Sequence, residues 1–156
     1  MFRELKTAKD IEVSKLMNYI ERDSTGNTKI RDNYGNTAFL YVIREGTYKL
    51  FEKFLGANGN NCNELNYNHD TALHIAVTRG NYDMVKALLQ IGANPNLTNR
   101  EGKTAIHYSI FYGDEYCLEL ITKFSEVRIK FVNMYMNQVD GNYLEILRDY
   151  SGKLLF

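Results

Sequence analysis

Three histidines and two cysteines are the residues of this 156-residue chain with the widest scope for chemistry, and their spacing decides what they could do. His74 and His107 stand at the same place in two closely related segments, so two imidazoles on neighbouring elements could be offered to a metal. A tetrahedral site needs further ligands, and no carboxylate or cysteine recurs at ligand spacing to supply them. A structural role is therefore expected for both. His69 is expected in a loop. Cys117 with His107 is the one combination that suggests a nucleophile and its base. Cys117, however, falls in the helical slot that Met84 and Leu50 fill in the related segments, and a buried apolar slot raises a thiol pKa and makes it inert. Cys62 stands far from Cys117 in the chain with no Cys-x-x-Cys, which excludes a disulfide framework and a cysteine zinc site. There is no glycine-rich phosphate loop after a strand and no carboxylate pair with an acid-base context. No catalytic residue, metal or cofactor is expected.

The elements that position these residues come from an internal repeat. Segments starting at Asp32, Asn66 and Asn99 align so that Thr-Ala falls in register at Thr37, Thr71 and Thr104, a period of about 33 residues. Gly46, Gly80 and Gly113 follow at one fixed distance from the three threonines, and the single extra residue of the first step falls in the loop between Leu55 and Thr71. Each unit reads as two short helices. The first runs from Thr-Ala to just before the glycine. The second carries apolar residues at helical spacing: Leu50, Phe51, Phe54, Leu55; then Met84, Val85, Leu88, Leu89; then Cys117, Leu118, Ile121. A glycine between them is the residue that ends a helix in a left-handed conformation without steric cost. Gly92-Ala93-Asn94-Pro95-Asn96 stops a second helix and begins a turn-rich loop.

Thr71-Ala72-Leu73-His74-Ile75-Ala76, followed by Gly80, Val85, Leu88-Leu89 and Gly92-Ala93-Asn94, resembles the ankyrin repeat, whose consensus has Thr-Pro-Leu-His-x-Ala there. The unit from Asn99 is similar through Gly102, Thr104, Ile106, His107 and Gly113, while the unit from Asp32 has Leu40 in place of the histidine. Alanine replaces the family's proline at 38, 72 and 105, which is tolerable because proline in a first turn helps but is not required. His69 stands where the loop glycine belongs, and histidine is among the residues less penalised at positive φ. The resemblance implies an all-α solenoid of stacked helix-turn-helix units, in which a histidine at the place of His74 and His107 bonds a backbone group of the adjoining loop. Its expected organisation is one domain over 1–156, with an N-terminal cap repeat at 1–31, repeats at 32–65, 66–98 and 99–131, and a C-terminal cap at 132–156. Gly141-Asn142-Tyr143 echoes Gly80-Asn81-Tyr82 inside that last cap, and capping units are what keep a solenoid from exposing a continuing apolar face. The stretch from Val127 to Phe131 alternates like a strand but also sets Val127 and Phe131 one helical turn apart, so both readings stand.

Lys+Arg 19 against Asp+Glu 19 leaves a formal net charge of zero and a pI near 6.8. That balance argues against nucleic acid or an anionic membrane as the main partner, since both demand a surplus of lysine and arginine. No uncharged apolar run approaches the ~18 residues of a membrane helix, and the opening MFRELKTAKDIEV lacks an apolar stretch. A monomer in the cytoplasm is expected, with the nucleus, or a host cell if the source is viral or an effector, as the alternatives. One proline, no tryptophan, twelve tyrosines and seventeen asparagines read as nucleotide-composition bias, of the kind an AT-rich genome produces.

The aromatic residues divide in two. Tyr48, Tyr82 and Tyr143 each come just after the glycine, a recurring slot expected to serve packing. Tyr34, Tyr67, Phe111 and Tyr112 occupy positions that vary in ankyrin repeats and face solvent, which makes them candidate interface anchors. For Phe111 and Tyr112, cover for the C-terminal cap is an equal alternative. The resemblance further implies that a partner protein is gripped by loop positions before the threonine and by the two residues before the glycine. In the first repeat these are Asn33, Tyr34, Asn36, Arg44 and Glu45; in the second, Tyr67, Asn68, Asp70, Thr78 and Arg79; in the third, Arg100, Glu101, Lys103, Phe111 and Tyr112. The expected function is non-catalytic protein binding that masks or recruits a partner. A short viral inhibitor of a host signalling factor, similar to inhibitors of Rel/NF-kappa-B factors, is the finer alternative. An enzyme or enzyme subunit using residues 125–156 is the rival of another class, weakened by the lack of His and Cys in that segment.

Overall fold

The computed structural model describes residues 31–45, 48–57, 61–124, 127–128 and 154–155. The expected N-terminal cap up to residue 30, nearly all of the C-terminal cap, and Tyr143 with it, lie outside the described residues. Among these residues six helices follow one another in pairs: α1 (Ala38–Glu45) and α2 (Tyr48–Ala57), α3 (Ala72–Thr78) and α4 (Tyr82–Gln90), α5 (Ala105–Phe111) and α6 (Glu115–Phe124). Helices this short do not hold in water alone, so their stability must come from neighbours. Helix α3 packs between α1 and α5, and α4 packs against α3, α2 and α6, giving an inner row α1-α3-α5 backed by an outer row α2-α4-α6.

The apolar slots of the repeat meet in one continuous core. Leu40 and Ile43 from α1, Phe51 from α2, Leu73 and Val77 from α3, Met84 and Leu88 from α4, Ile106 from α5 and Leu118 and Ile121 from α6 are all buried. Ring stacking of Phe39 on Phe51 at 6.0 Å closes the first pair. Tyr48 is half-buried against Phe51. Tyr82 departs from the packing expected for its slot: it is 43% exposed and meets Tyr116 edge-on at 4.9 Å, so its contact lies on the surface between repeats.

The joint between paired helices explains why glycine and a polar residue recur together. At Gly80 (φ 63°) the chain turns left-handed; its N–H donates to the Val77 carbonyl and that of Asn81 to the Ala76 carbonyl, at 2.9 and 3.1 Å. These two bonds satisfy the last carbonyls of α3. The Asn81 side chain then accepts the Met84 N–H at 3.2 Å and opens α4. Gly113 and Asp114 repeat the device, Asp114 accepting the Cys117 N–H at 3.0 Å to open α6.

Two short strands, β1 (Val127–Arg128) and β2 (Leu154–Leu155), pair in parallel with Val127 opposite Leu154. Of the two readings of the Val127 segment, its first two residues take the extended one. Residues 129–131 lie outside the described set. The fold remains an all-α stack to which this short ladder is appended.

Candidate functional site

Each repeat presents a loop of the same construction. A side-chain oxygen of Asp32 accepts the N–H groups of Tyr34 and Asn36, both at 2.8 Å. Asn66 does the same for Asn68 and Asp70, both at 2.9 Å, and Asn99 for Glu101 and Lys103 at 3.0 and 3.1 Å. Across each span the backbone closes on itself, Asp32 N–H to the Asn36 carbonyl, Asn66 to Asp70 and Asn99 to Lys103. The tip residues Gly35, His69 and Gly102 have φ of 77°, 61° and 72°. His69 thus occupies a true left-handed position where its neighbours have glycine.

Neighbouring loops are stitched together. Tyr67 N–H donates to the Tyr34 carbonyl and Arg100 N–H to the Asn68 carbonyl, each at 3.0 Å. The Asn66 amide donates to Asn36 Oδ1 at 3.2 Å and the Asn99 amide to Asp70 Oδ1 at 3.0 Å. The loop row is therefore a frame whose polar groups are largely committed, and side chains projecting from it are held in place. Asp32, Asn66 and Asn99 were not among the expected site residues. Their signal was present in the sequence, since all three stand at one fixed distance before the threonine of their repeat.

The frame and the inner helices border a groove of about 780 Å³. Asn33, Tyr34 and Arg44 line it from the first repeat; Tyr67, Asn68, Asp70, Thr78 and Arg79 from the second; Arg100 and Tyr112 from the third. Tyr34 is 61%, Tyr67 57% and Tyr112 53% exposed. The Arg44 guanidinium lies over the Tyr34 ring, 4.1 Å from its centroid. Asn36 borders the groove too, but it is only 2% exposed and its amide is bonded to Asp32 and Asn66, so its main part there is to position the loop. Glu45, Glu101, Lys103 and Phe111 do not line it. Glu45 holds Arg44 and Arg79, Lys103 pairs with Glu101 at 2.6 Å, and Phe111 is 79% exposed with its ring edge-on to Tyr112. The groove also includes Asn66, His74, Ile75 and Tyr108, which sequence reasoning did not place there. Ile75 and Tyr108 share one slot of successive repeats, directly after the repeated histidine.

Both nitrogens of His74 are committed. The Thr71 N–H and hydroxyl meet Nδ1 at 3.1 and 2.8 Å, so the proton sits on Nε2, which donates it to the Lys103 carbonyl of the next loop at 2.9 Å. Burial lowers the His74 pKa from its ordinary value, and the Lys103 carbonyl and Asp70 only partly offset this. His107 repeats the Thr104 contacts at 2.8 Å each. His74 is thus a strut between the second and third repeats. Among the described residues no group of three or more His, Cys, Asp or Glu could hold a metal.

The thiols are buried as well. Burial, with Asp114 beside it, pushes the Cys117 thiol far up, and burial raises that of Cys62. A disulfide reagent such as DTNB should therefore react slowly with both cysteines in native buffer and release both equivalents together on denaturation. Rapid release of one equivalent from folded protein would reveal a reactive thiol and restore the nucleophile reading.

A family model described as ankyrin repeats (3 copies) matches residues 39–131. Inversin of Mus musculus is 32% identical over 108 residues, covering 67% of this chain and 10% of inversin. Ankyrin repeat protein OPG189 of Variola virus is 35% identical over 85 residues, covering 53% of this chain and 15% of the viral protein. Notch-regulated ankyrin repeat-containing protein A of Danio rerio is 40% identical over 91 residues, covering 54% of this chain and 80% of the relative. The chain thus spans only a small part of the first two and most of the third. No helix among the described residues is long and apolar enough to cross a membrane.

Proposed function

The chain belongs to the ankyrin-repeat family, and from that premise we propose that it is a non-catalytic module that binds another protein through its groove and so masks or recruits it. The observation carrying this reading is the conjunction of a stitched loop frame with exposed Tyr34, Tyr67 and Tyr112, rings the core does not need. Pre-organised aromatic side chains lose little entropy on binding and supply the anchors that dominate interface energies. An interface of ordinary size, ~800 Å² on each side, would suffice for a specific complex. No bond need be made or broken, and the committed imidazoles and buried thiols support a role without catalysis.

Affinity capture from the natural host cell, with the wild type and the double variant Tyr67→Ala/Tyr112→Ala in parallel, tests the proposal. The double variant should weaken the captured partner by about 2 kcal/mol or more, roughly thirtyfold, as truncated anchors do. Its stability should stay within about 1 kcal/mol of wild type, because both rings are largely exposed. Unchanged capture by a destabilised variant would make these rings structural and move the interface to the outer helices. The finer reading, a viral inhibitor of a host Rel/NF-kappa-B-type signalling factor, draws support from the likeness to a variola virus ankyrin protein. Identifying the captured partner by mass spectrometry decides it.

A further inference from the structure

The charges around the groove are unevenly matched. Three arginines line it, Arg44, Arg79 and Arg100, against one acid, Asp70. Both Asp70 oxygens are taken by amides, Oδ2 by Asn68 at 2.9 Å and Oδ1 by Asn99 at 3.0 Å, so this carboxylate serves the frame. Glu45, beside the groove, is shared: its Oε1 lies 3.3 Å from Arg44 Nε and 3.1 Å from Arg79 Nη2. Arg100 has no carboxylate on its guanidinium among the described residues. Two guanidiniums thus divide one carboxylate and a third has none, in a chain whose total charge is zero. The surplus is a matter of placement, and it lies among the rings of Tyr34, Tyr67, Tyr108 and Tyr112.

Building on the protein-binding reading, we propose that the groove takes a short acidic segment of its partner, with Asp or Glu carboxylates on Arg79 and Arg100 and apolar side chains against the tyrosines. A guanidinium fork matches a carboxylate in two parallel hydrogen bonds, and aromatic walls that exclude water strengthen each pair. Arg44 is already stacked on Tyr34, so its fork is presented in a fixed orientation. Nucleic acid fits less well. Its affinity comes from neutralising many phosphates, and here the excess is only one or two charges interrupted by Glu45 and Asp70.

The test pans a phage-displayed library of random dodecapeptides against the full chain. Synthetic versions of the enriched peptides are then measured by fluorescence anisotropy, with a labelled oligothymidylate as a second probe. Enrichment of peptides rich in Asp and Glu is expected. Their affinity should fall about tenfold or more on Arg100→Gln or Arg79→Gln, and equally on exchanging the peptide acids for Asn and Gln, a change that leaves the protein untouched. Added salt should weaken them too. Absence of enrichment, a neutral or basic consensus, acidic peptides indifferent to both arginine variants, or tighter binding of the oligothymidylate would each overturn the proposal. Neutral peptides that are lost on Tyr67→Ala/Tyr112→Ala would remove the acidic assignment yet leave the groove as a protein site. Peptides indifferent to every groove substitution would remove both.

Discussion

Replacing His74 by alanine should lower the free energy of unfolding by about 3 kcal/mol in a urea titration, a large share of the stability of a small repeat protein. The ring is buried, and it satisfies the Thr71 N–H and hydroxyl on one side and the Lys103 carbonyl on the other. Its removal leaves a void, takes the ring acceptor from the buried Thr71 N–H and hydroxyl, and leaves the Lys103 carbonyl with the Asn99 N–H alone, and the void and the lost bonds each cost of the order of 1 kcal/mol or more. The loss should also appear as reduced coupling between the second and third repeats, because the Nε2 bond crosses from one to the other. A cost under about 0.5 kcal/mol would show that the strut does not hold the repeats together. A pH dependence follows with a definite sign. Burial depresses the folded-state pKa of His74 below the ordinary 6.5, so the unfolded chain takes up its proton first. The stability His74 supplies is fully present above pH 6.5, declines as the pH falls from there toward the folded pKa, and levels off below it. Subtracting the pH profile of His74→Ala from that of wild type isolates this contribution.

The second large effect is expected at a loop tip. Gly35 has φ 77°, and a Cβ built there would run into the ring and backbone nitrogen of Tyr67. Gly102 has φ 72° with open space around it. Both alanine variants bear left-handed strain of about 1 kcal/mol, but only Gly35→Ala must also push Tyr67 aside, for a total of about 2–3 kcal/mol. Displacing Tyr67 disturbs the groove, so Gly35→Ala should weaken partner binding while Gly102→Ala leaves it nearly unchanged. Equal costs at the two glycines, measured by thermal or urea unfolding, would mean that the contact between Gly35 and Tyr67 is not a rigid one.

Why some of this was legible in the sequence and some was not follows from what each residue answers to. Thr71, His74 and Gly80 serve the geometry of a single repeat and its immediate neighbour, so they recur at a fixed interval and their roles can be read from the chain. The histidine bond to an adjoining loop backbone is what the family resemblance implies, and for His74 it is found at the Lys103 carbonyl. Tyr82 answers to Tyr116 in the following repeat, a pairing set by the rotation between units that no spacing encodes. Asn36 reads as a contact residue because the resemblance assigns contacts to the loop just before the threonine. The loop, however, has its own polar groups to satisfy, and it draws the amide inward onto Asp32 and Asn66. Tyr108 and Ile75 enter the groove through a slot in which the two repeats differ in chemistry, so the recurrence that marks the histidine beside them is missing. The uneven sharing of Glu45 depends on side chains from positions 44, 45 and 79 meeting across a repeat boundary, and the zero net charge conceals it.

The most direct measurement is hydrogen–deuterium exchange of the full chain with and without its captured partner. Slowed exchange at the loop residues 33–36, 66–70 and 99–103 and along α3, with α2, α4 and α6 unchanged, is the expected result. Protection confined to the outer helices, with the groove exchanging as in the free protein, would contradict a binding site on the loop face.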